Sequence, residues 1–184
     1  EANRIIMLPP AAPKPLKVPV DPLAALPYTT DEKYLSKQVV LVGYGRVGRR
    51  IAELLSKRGI PCVVTDQSRE IIEKLRESGV PAVVGDASDD IVLAQAHIAK
   101  AAMLIIATPD TMKVRKMVDT ARKINPGIDV VIRSHSEMEA RLLEQEETGK
   151  IFLGERELAN SISAYVLEKL QKPAGNVDSP RQMD

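Results

Sequence analysis

Aromatic residues are almost missing from this 184-residue chain: there is no tryptophan, and a single phenylalanine, Phe152, accompanies four tyrosines. Platforms for single-stranded nucleic acid stack bases on such rings along a basic groove. The formal net charge is only +1, so neither nucleic acid nor an anionic lipid surface is an expected partner. Cys62 is the only cysteine, which excludes a disulfide framework and suits a reducing compartment. Histidine occurs twice, as His97 and His135. Neither has companions at metal-ligand spacing, and both read as helix-surface or loop side chains. No run approaches the roughly 20 apolar residues of a membrane helix. No Ser-His-Asp set, no carboxylate dyad in a plausible cleft and no internal repeat is legible.

What is present is aliphatic: hydrophobic residues make up 44% of the chain, enough for the core of one domain. Seven of the 13 prolines fall before residue 35, at positions 9, 10, 13, 15, 19, 22 and 27. Residues 1–36 therefore read as an extended, semi-stiff linker, with a short apolar run, Ile5-Ile6-Met7-Leu8, at its start. A chain that starts at Glu1 with such an arm is expected to continue something upstream. Residues 172–184, polar and broken by two prolines, read as a disordered tail.

Between these ends, apolar runs and amphipathic segments alternate. Strands are expected at 38–43, 61–66, 81–85, 102–107, 129–133 and 150–153. Helices are expected at 46–58, 68–78, 88–99, 110–124, 136–147 and 155–171. Ser68 and Ser88 are candidate N-caps, Gly59 and Gly79 candidate helix stops, and Asn125-Pro126-Gly127 ends the fourth helix. Six short strands alternating with helices predict an α/β fold: a doubly wound parallel Rossmann sheet of order 3-2-1-4-5-6, spanning residues 37–171.

The most telling segment joins the first strand to the first helix. Gly43-Tyr44-Gly45-Arg46-Val47-Gly48 follows Val39-Val40-Leu41-Val42, precedes a helical pattern of Ile51, Leu54 and Leu55, and is answered by Asp66 18 residues after Gly48. That is the dinucleotide-binding fingerprint in its required context, with glycines for the turn, for phosphate approach and for helix packing. The helix N-terminus adds free N–H groups and a favourable dipole. Ligands in such sheets lie across the carboxyl ends of the strands. Asp66, with Gln67 beside it, ends the second strand; its carboxylate would take the ribose hydroxyls and repel a 2′-phosphate, although Arg69 is near. Gly85-Asp86-Ala87 ends the third strand, where Asp86 is either an adenine contact or a turn cap. Thr108, with Pro109 and Asp110, ends the fourth. The expected ligand is an adenine nucleotide, with NADP disfavoured.

Tyr165 and Lys169 stand at the Tyr-x-x-x-Lys spacing of short-chain dehydrogenases. They fall on the last helix, however, with Phe152 where such enzymes supply a serine, and a stripe of Leu158, Ile162, Tyr165 and Val166 explains Tyr165 as packing. No substrate domain follows. A non-enzymatic role is expected, with an NAD-dependent oxidoreductase as the alternative.

Together, residues 39–48, Thr65-Asp66, Val84-Gly85-Asp86-Ala87, Ile106-Ala107-Thr108-Pro109 and Gly154-Glu155-Arg156-Glu157 resemble the TrkA-N (RCK or KTN) domain. The resemblance is nearest to the C-terminal domain of Kef-type monovalent cation:proton antiporters. It covers about 37–171 and implies a homodimer that binds AMP, ATP or NAD(H). It further implies gating of potassium or cation:proton antiport by an attached membrane domain, from the cytoplasmic face of the inner membrane. A soluble subunit of a potassium uptake system is the other transport reading. By position, the resemblance makes residues 43–48 the phosphate loop, Asp66 the ribose acid and Asp86-Ala87 the adenine contact. It also makes Glu155 a ligand contact from the last helix, while Arg133 at the end of strand five is either a ligand contact or a dimer ion pair. A second subdomain and a glutathione signature are not legible. The last helix, with Met138, Leu142 and Leu143 of the preceding one, carries more apolar surface than one sheet can cover and is the expected dimer contact.

Overall fold

The β-branched and aliphatic runs form the parallel strands of one sheet, whose inner members have both backbone edges paired and lie between layers of helices. The computed structural model describes residues 21–108 and 111–170. Its strands are β1 (Val39–Val42), β2 (Cys62–Asp66), β3 (Ala82–Val84), β4 (Met103–Ile106), β5 (Asp129–Ser134) and β6 (Lys150–Leu153). They pair in parallel in the order β3-β2-β1-β4-β5-β6, the expected Rossmann topology. The helices are α1 (Arg46–Lys57), α2 (Arg69–Glu77), α3 (Asp90–Gln95), α4 (Val114–Ile124), α5 (Glu137–Gln145) and α6 (Gly154–Leu170). No helix among the described residues is long and apolar enough to cross a membrane.

Strand alternation sorts the core into two clusters. Val40, Val63, Leu104 and Ile132 point to one face, where Leu93 of α3, Val114, Met117 and Val118 of α4 and Leu143 of α5 bury them. Val39, Leu41 and Val64 point to the other, against Ile72 and Leu75 of α2 and the half-buried Ala52 and Leu55 of α1. Coverage of that second face stops at β1. Met103, Ile105 and Val131 are only half-buried there, and Phe152 on β6 is 39% exposed. Helix α6 buries none of its residues.

Several local expectations change. The third helix is not 88–99: Asp89, not Ser88, caps a short α3, and His97 turns left-handed at φ 58 before a 3-10 turn at Ile98–Lys100. At this break the carbonyls of Ala96 and His97 accept from the Gln38 amide at 3.3 and 3.1 Å. The fourth helix becomes α-helical only at Val114, after a 3-10 turn at Thr111–Lys113. Ser68 and Ser136 cap α2 and α5, and Gly59 and Gly79 follow their helices at φ 68 and 76. Leu143, expected at a dimer contact, is a core residue at 1% exposure, whereas Met138 and Leu142 are exposed.

The part of the arm from Asp21 onward does not trail as a free linker. From Asp21 it packs on the sheet: Leu23 is buried, its carbonyl accepts from Val84 N of edge strand β3 at 2.9 Å, and Lys37 N reaches Lys100 O at 2.8 Å. An edge strand with an unpaired N–H and an exposed apolar flank provides the reason. The readings made on residues 1–20, on Pro109 and Asp110, and on the tail from residue 171 lie outside the described residues.

Leu104 sits mid-sheet with no exposed surface. Leu104→Ala should cost about 2–5 kcal/mol of unfolding free energy by urea titration; a loss below about 1 kcal/mol would contradict the packing described.

Candidate functional site

A cleft of about 820 Å³ opens at the carboxyl ends of β2, β1, β4 and β5. Its floor is backbone and small side chains, because the β1–α1 connection is drawn tightly against the sheet. Gly43 adopts φ 91, and a Cβ on it would meet Thr108 N at 2.9 Å. Gly48, one turn into α1, faces the loop so closely that a Cβ would lie 1.9 Å from Gly43 O. Gly45 differs: nothing stands within 4 Å of where its Cβ would be, and it lines the cleft. It is also the N-cap of α1 and supplies no side-chain bond. The first N–H groups of α1 thus face the cleft without a capping side chain, an arrangement that attracts an anion.

Asp66 is held by two backbone amides, Tyr44 N to Oδ2 at 2.7 Å and Ser68 N to Oδ1 at 2.8 Å. This one carboxylate ties the β1 loop to the start of α2 and keeps lone pairs on both oxygens for further donors. Gln67, Ile71 and Thr65 border it. Arg46 and Val47 line the α1 side, Thr108 and Ala107 the β4 side.

Four expected site residues, Tyr44, Gly48, Asp86 and Glu155, do not line the cleft. The Asp86 carboxylate faces α4: it accepts from Ser88 N at 2.9 Å and from Lys113 Nζ at 2.6 Å. The bond from Lys113, then that from Ser88, pulls its pKa down to about 2. Gly85 and Ala87 line the cleft around it, while Asp86 borders the neighbouring α3–α4 groove. In the structure its contacts are those of a turn cap, with lysine and amide on the carboxylate. The Tyr44 ring packs with the α1–α2 cluster, so only its backbone serves the site. Glu155 is exposed at the start of α6, beyond β6. Three strand spacings separate β6 from β1 in the sheet, roughly 14 Å, and Glu155 does not line the cleft of its own chain. Gly48 is buried behind the loop and acts through packing.

His135, read from sequence as a surface or loop side chain, lines the cleft with Arg133 at the carboxyl end of β5, and Met117 of α4 lies beneath. The signal was positional: both follow the apolar part of strand five, where a doubly wound sheet presents ligand contacts. Neither Arg46 nor Arg133 has a side-chain hydrogen bond or ion pair among the described residues. Tyr165 is 61% exposed on α6, with Lys169 Nζ 5.5 Å from its ring centre, and neither lines the cleft.

The TrkA-N domain family matches residues 39–153. YbaL of Escherichia coli (strain K12), named for cation/proton antiport, is 36% identical over 144 residues, 78% of this chain and 25% of YbaL. KefB of Alkalimonas amylolytica, named for K⁺ efflux antiport, is 27% identical over 78% of this chain and 22% of its own length. The chain thus spans about a quarter of these curated relatives. Among solved structures, the TrkA-N domain of the Escherichia coli inner membrane protein YbaL superposes with a TM-score of 0.67 at 34% identity, covering 71% of this chain and 97% of that one. The AMP-bound Kef C-terminal domain of Shewanella denitrificans gives a TM-score of 0.61 at 24% identity over 74% and 82%. The NAD-bound GsuK channel gives 0.59 at 20% over 73% and 24%.

The two inner glycines separate packing from binding. Gly48→Ala should cost about 3 kcal/mol or more, because the clash is with backbone. Gly45→Ala should stay within about 1 kcal/mol of the parent. Thermal and urea unfolding of both variants checks this; equal losses would contradict the geometry.

Proposed function

This chain belongs to the TrkA-N domain family, and from that premise we propose that it is a non-catalytic regulatory domain that binds AMP or NAD(H) and gates cation movement, potassium or cation:proton antiport, through an attached membrane domain at the cytoplasmic face of the inner membrane. The observation that carries the reading is the cleft itself: an uncapped α1 N-terminus beside open space at Gly45, with the Asp66 carboxylate oriented by two backbone amides. Phosphate suits the first and a ribose diol the second. In this reading Gly43, Gly45, Arg46 and Val47 cradle phosphate, Asp66 and Gln67 take the ribose, Gly85 and Ala87 face the base, and Thr108 flanks the phosphates. From Asp66 at β2 to Arg133 and His135 at β5 the cleft crosses three strand spacings, roughly 14 Å. That length accommodates a dinucleotide, with AMP filling the Asp66 half. The AMP-bound Kef domain and the NAD-bound GsuK channel share the fold. Tyr165 and Lys169 lie off the cleft, which favours sensing over hydride transfer. A ligand moves such a sensor by its differential affinity for two states.

AMP or NAD(H) at ~100 times its dissociation constant should add about 2.7 kcal/mol of stability, a melting shift of roughly 5–10 °C, and NADP(H) should give less. Gly45→Val should remove the shift while the fold persists. A flat melting temperature across millimolar adenine nucleotides would overturn the reading.

The same reading includes a homodimer. Helix α6 leaves Leu158, Ile162 and Tyr165 at 62%, 56% and 61% exposure, and the half-open sheet face at Met103, Ile105, Val131 and Phe152 lacks a helix. A two-fold pairing in which α6 of one copy meets apolar surface of the other answers both. Ile162→Glu with Tyr165→Glu should shift the light-scattering mass from dimer to monomer. A parent protein that is monomeric at tens of micromolar would overturn the dimer.

A further inference from the structure

Residues 21–25 do more than cover an edge strand. Arg76, in the last turn of α2, donates from Nε to Ala82 O of β3 at 2.8 Å and from Nη1 to Pro22 O at 2.7 Å. Its Nη2 donates to Leu23 O at 3.3 Å and to Ala25 O. One guanidinium therefore fastens three arm carbonyls to the α2–β3 corner. At the other end of α2, Arg69 donates to the Asp21 carboxylate at 2.5 Å while its Nε holds Glu73 at 3.0 Å. The Leu23 amide, and then Arg69, hold the Asp21 carboxyl below the usual carboxylate range. Between these clamps Leu23 O accepts from Val84 N, and the Leu23 side chain is buried in the α1–α2 cluster.

Each anchor adjoins a cleft loop. Arg69 follows Ser68, whose amide orients Asp66. Val84 precedes Gly85, which lines the cleft at φ 148. Ile71, in the first turn of α2, lines it as well. The arm thus restrains both loops that the nucleotide reading assigns to ribose and base. Ordering those loops beforehand lowers the entropy lost on binding, and a bound ligand that orders them returns the effect to the arm.

We propose that residues 21–25 form a latch whose docking on α2 and the β3 edge is coupled to nucleotide occupancy of the cleft, each stabilising the other. This rests on the nucleotide-binding reading and names its route: occupancy is transmitted to the chain N-terminal to Asp21. A mere edge cover would contribute stability without altering affinity.

Amide hydrogen exchange of the full chain, with and without saturating AMP or NAD, reads the coupling directly. The Val84, Leu23 and Ala24 amides should exchange more slowly with nucleotide bound. Leu23→Ser and Asp21→Ala, checked for fold by circular dichroism, should weaken AMP or NAD binding about fivefold or more by titration calorimetry. Nucleotide binding by the parent with unchanged exchange at these amides would overturn the latch alone. So would variants with a lowered melting temperature and parental affinity. A parent that binds neither nucleotide would overturn the binding reading and the latch with it.

Discussion

The carbonyl oxygen of Gly43 occupies the place where a side chain on residue 48 would begin, 1.9 Å from an ideal Cβ. Because residue 48 has none, α1 can start directly above the end of β1 with its N-terminal amides turned to the strand ends. The left-handed Gly43, packed on Thr108 N, brings β1 and β4 loops into contact on the other side. The cleft, its anion-attracting helix end and the position of Asp66 beside Tyr44 N all follow from this one close approach.

Charge is distributed around the cleft by competition between partners. Asp66 and Asp86 end consecutive strands and look alike in sequence. The first meets only backbone amides, whereas the second meets a lysine of the 3-10 turn before α4 and borders a different groove. Arg69 has the chemistry to counter a phosphate near the ribose, but Asp21 and Glu73 hold it. At the far end Arg133 and His135 lie on the cleft wall. The cleft thus carries the Asp66 carboxylate at its β2 end and the Arg133 guanidinium at its β5 end.

Packing leaves one face of the sheet only half covered. Helices α1 and α2 cover β3, β2 and β1 on one face, while α3, α4 and α5 cover the whole of the other. The remaining helix among the described residues, α6, contributes no buried residue. Apolar surface is therefore left in two places, on the helix and on the sheet, and the proposed pairing with a second copy would remove both from water at once.

The sequence alone determined the sheet order, the glycine loop and Asp66, because these depend on local signals: β-branched runs, helical periodicity and an acidic residue at fixed spacing. The family resemblance lay in the same motifs. Tertiary structure alone decided what Asp86 binds, where Glu155 lies, that Leu143 is core and that His135 reaches the cleft. It also decided that the chain from Asp21 docks instead of trailing. Each of these turns on which side chain from a distant segment arrives first: Lys113 at Asp86, Arg69 and Arg76 at the arm. Such pairings are made across 27, 48 and 54 residues of chain, a separation over which local periodicity carries no information.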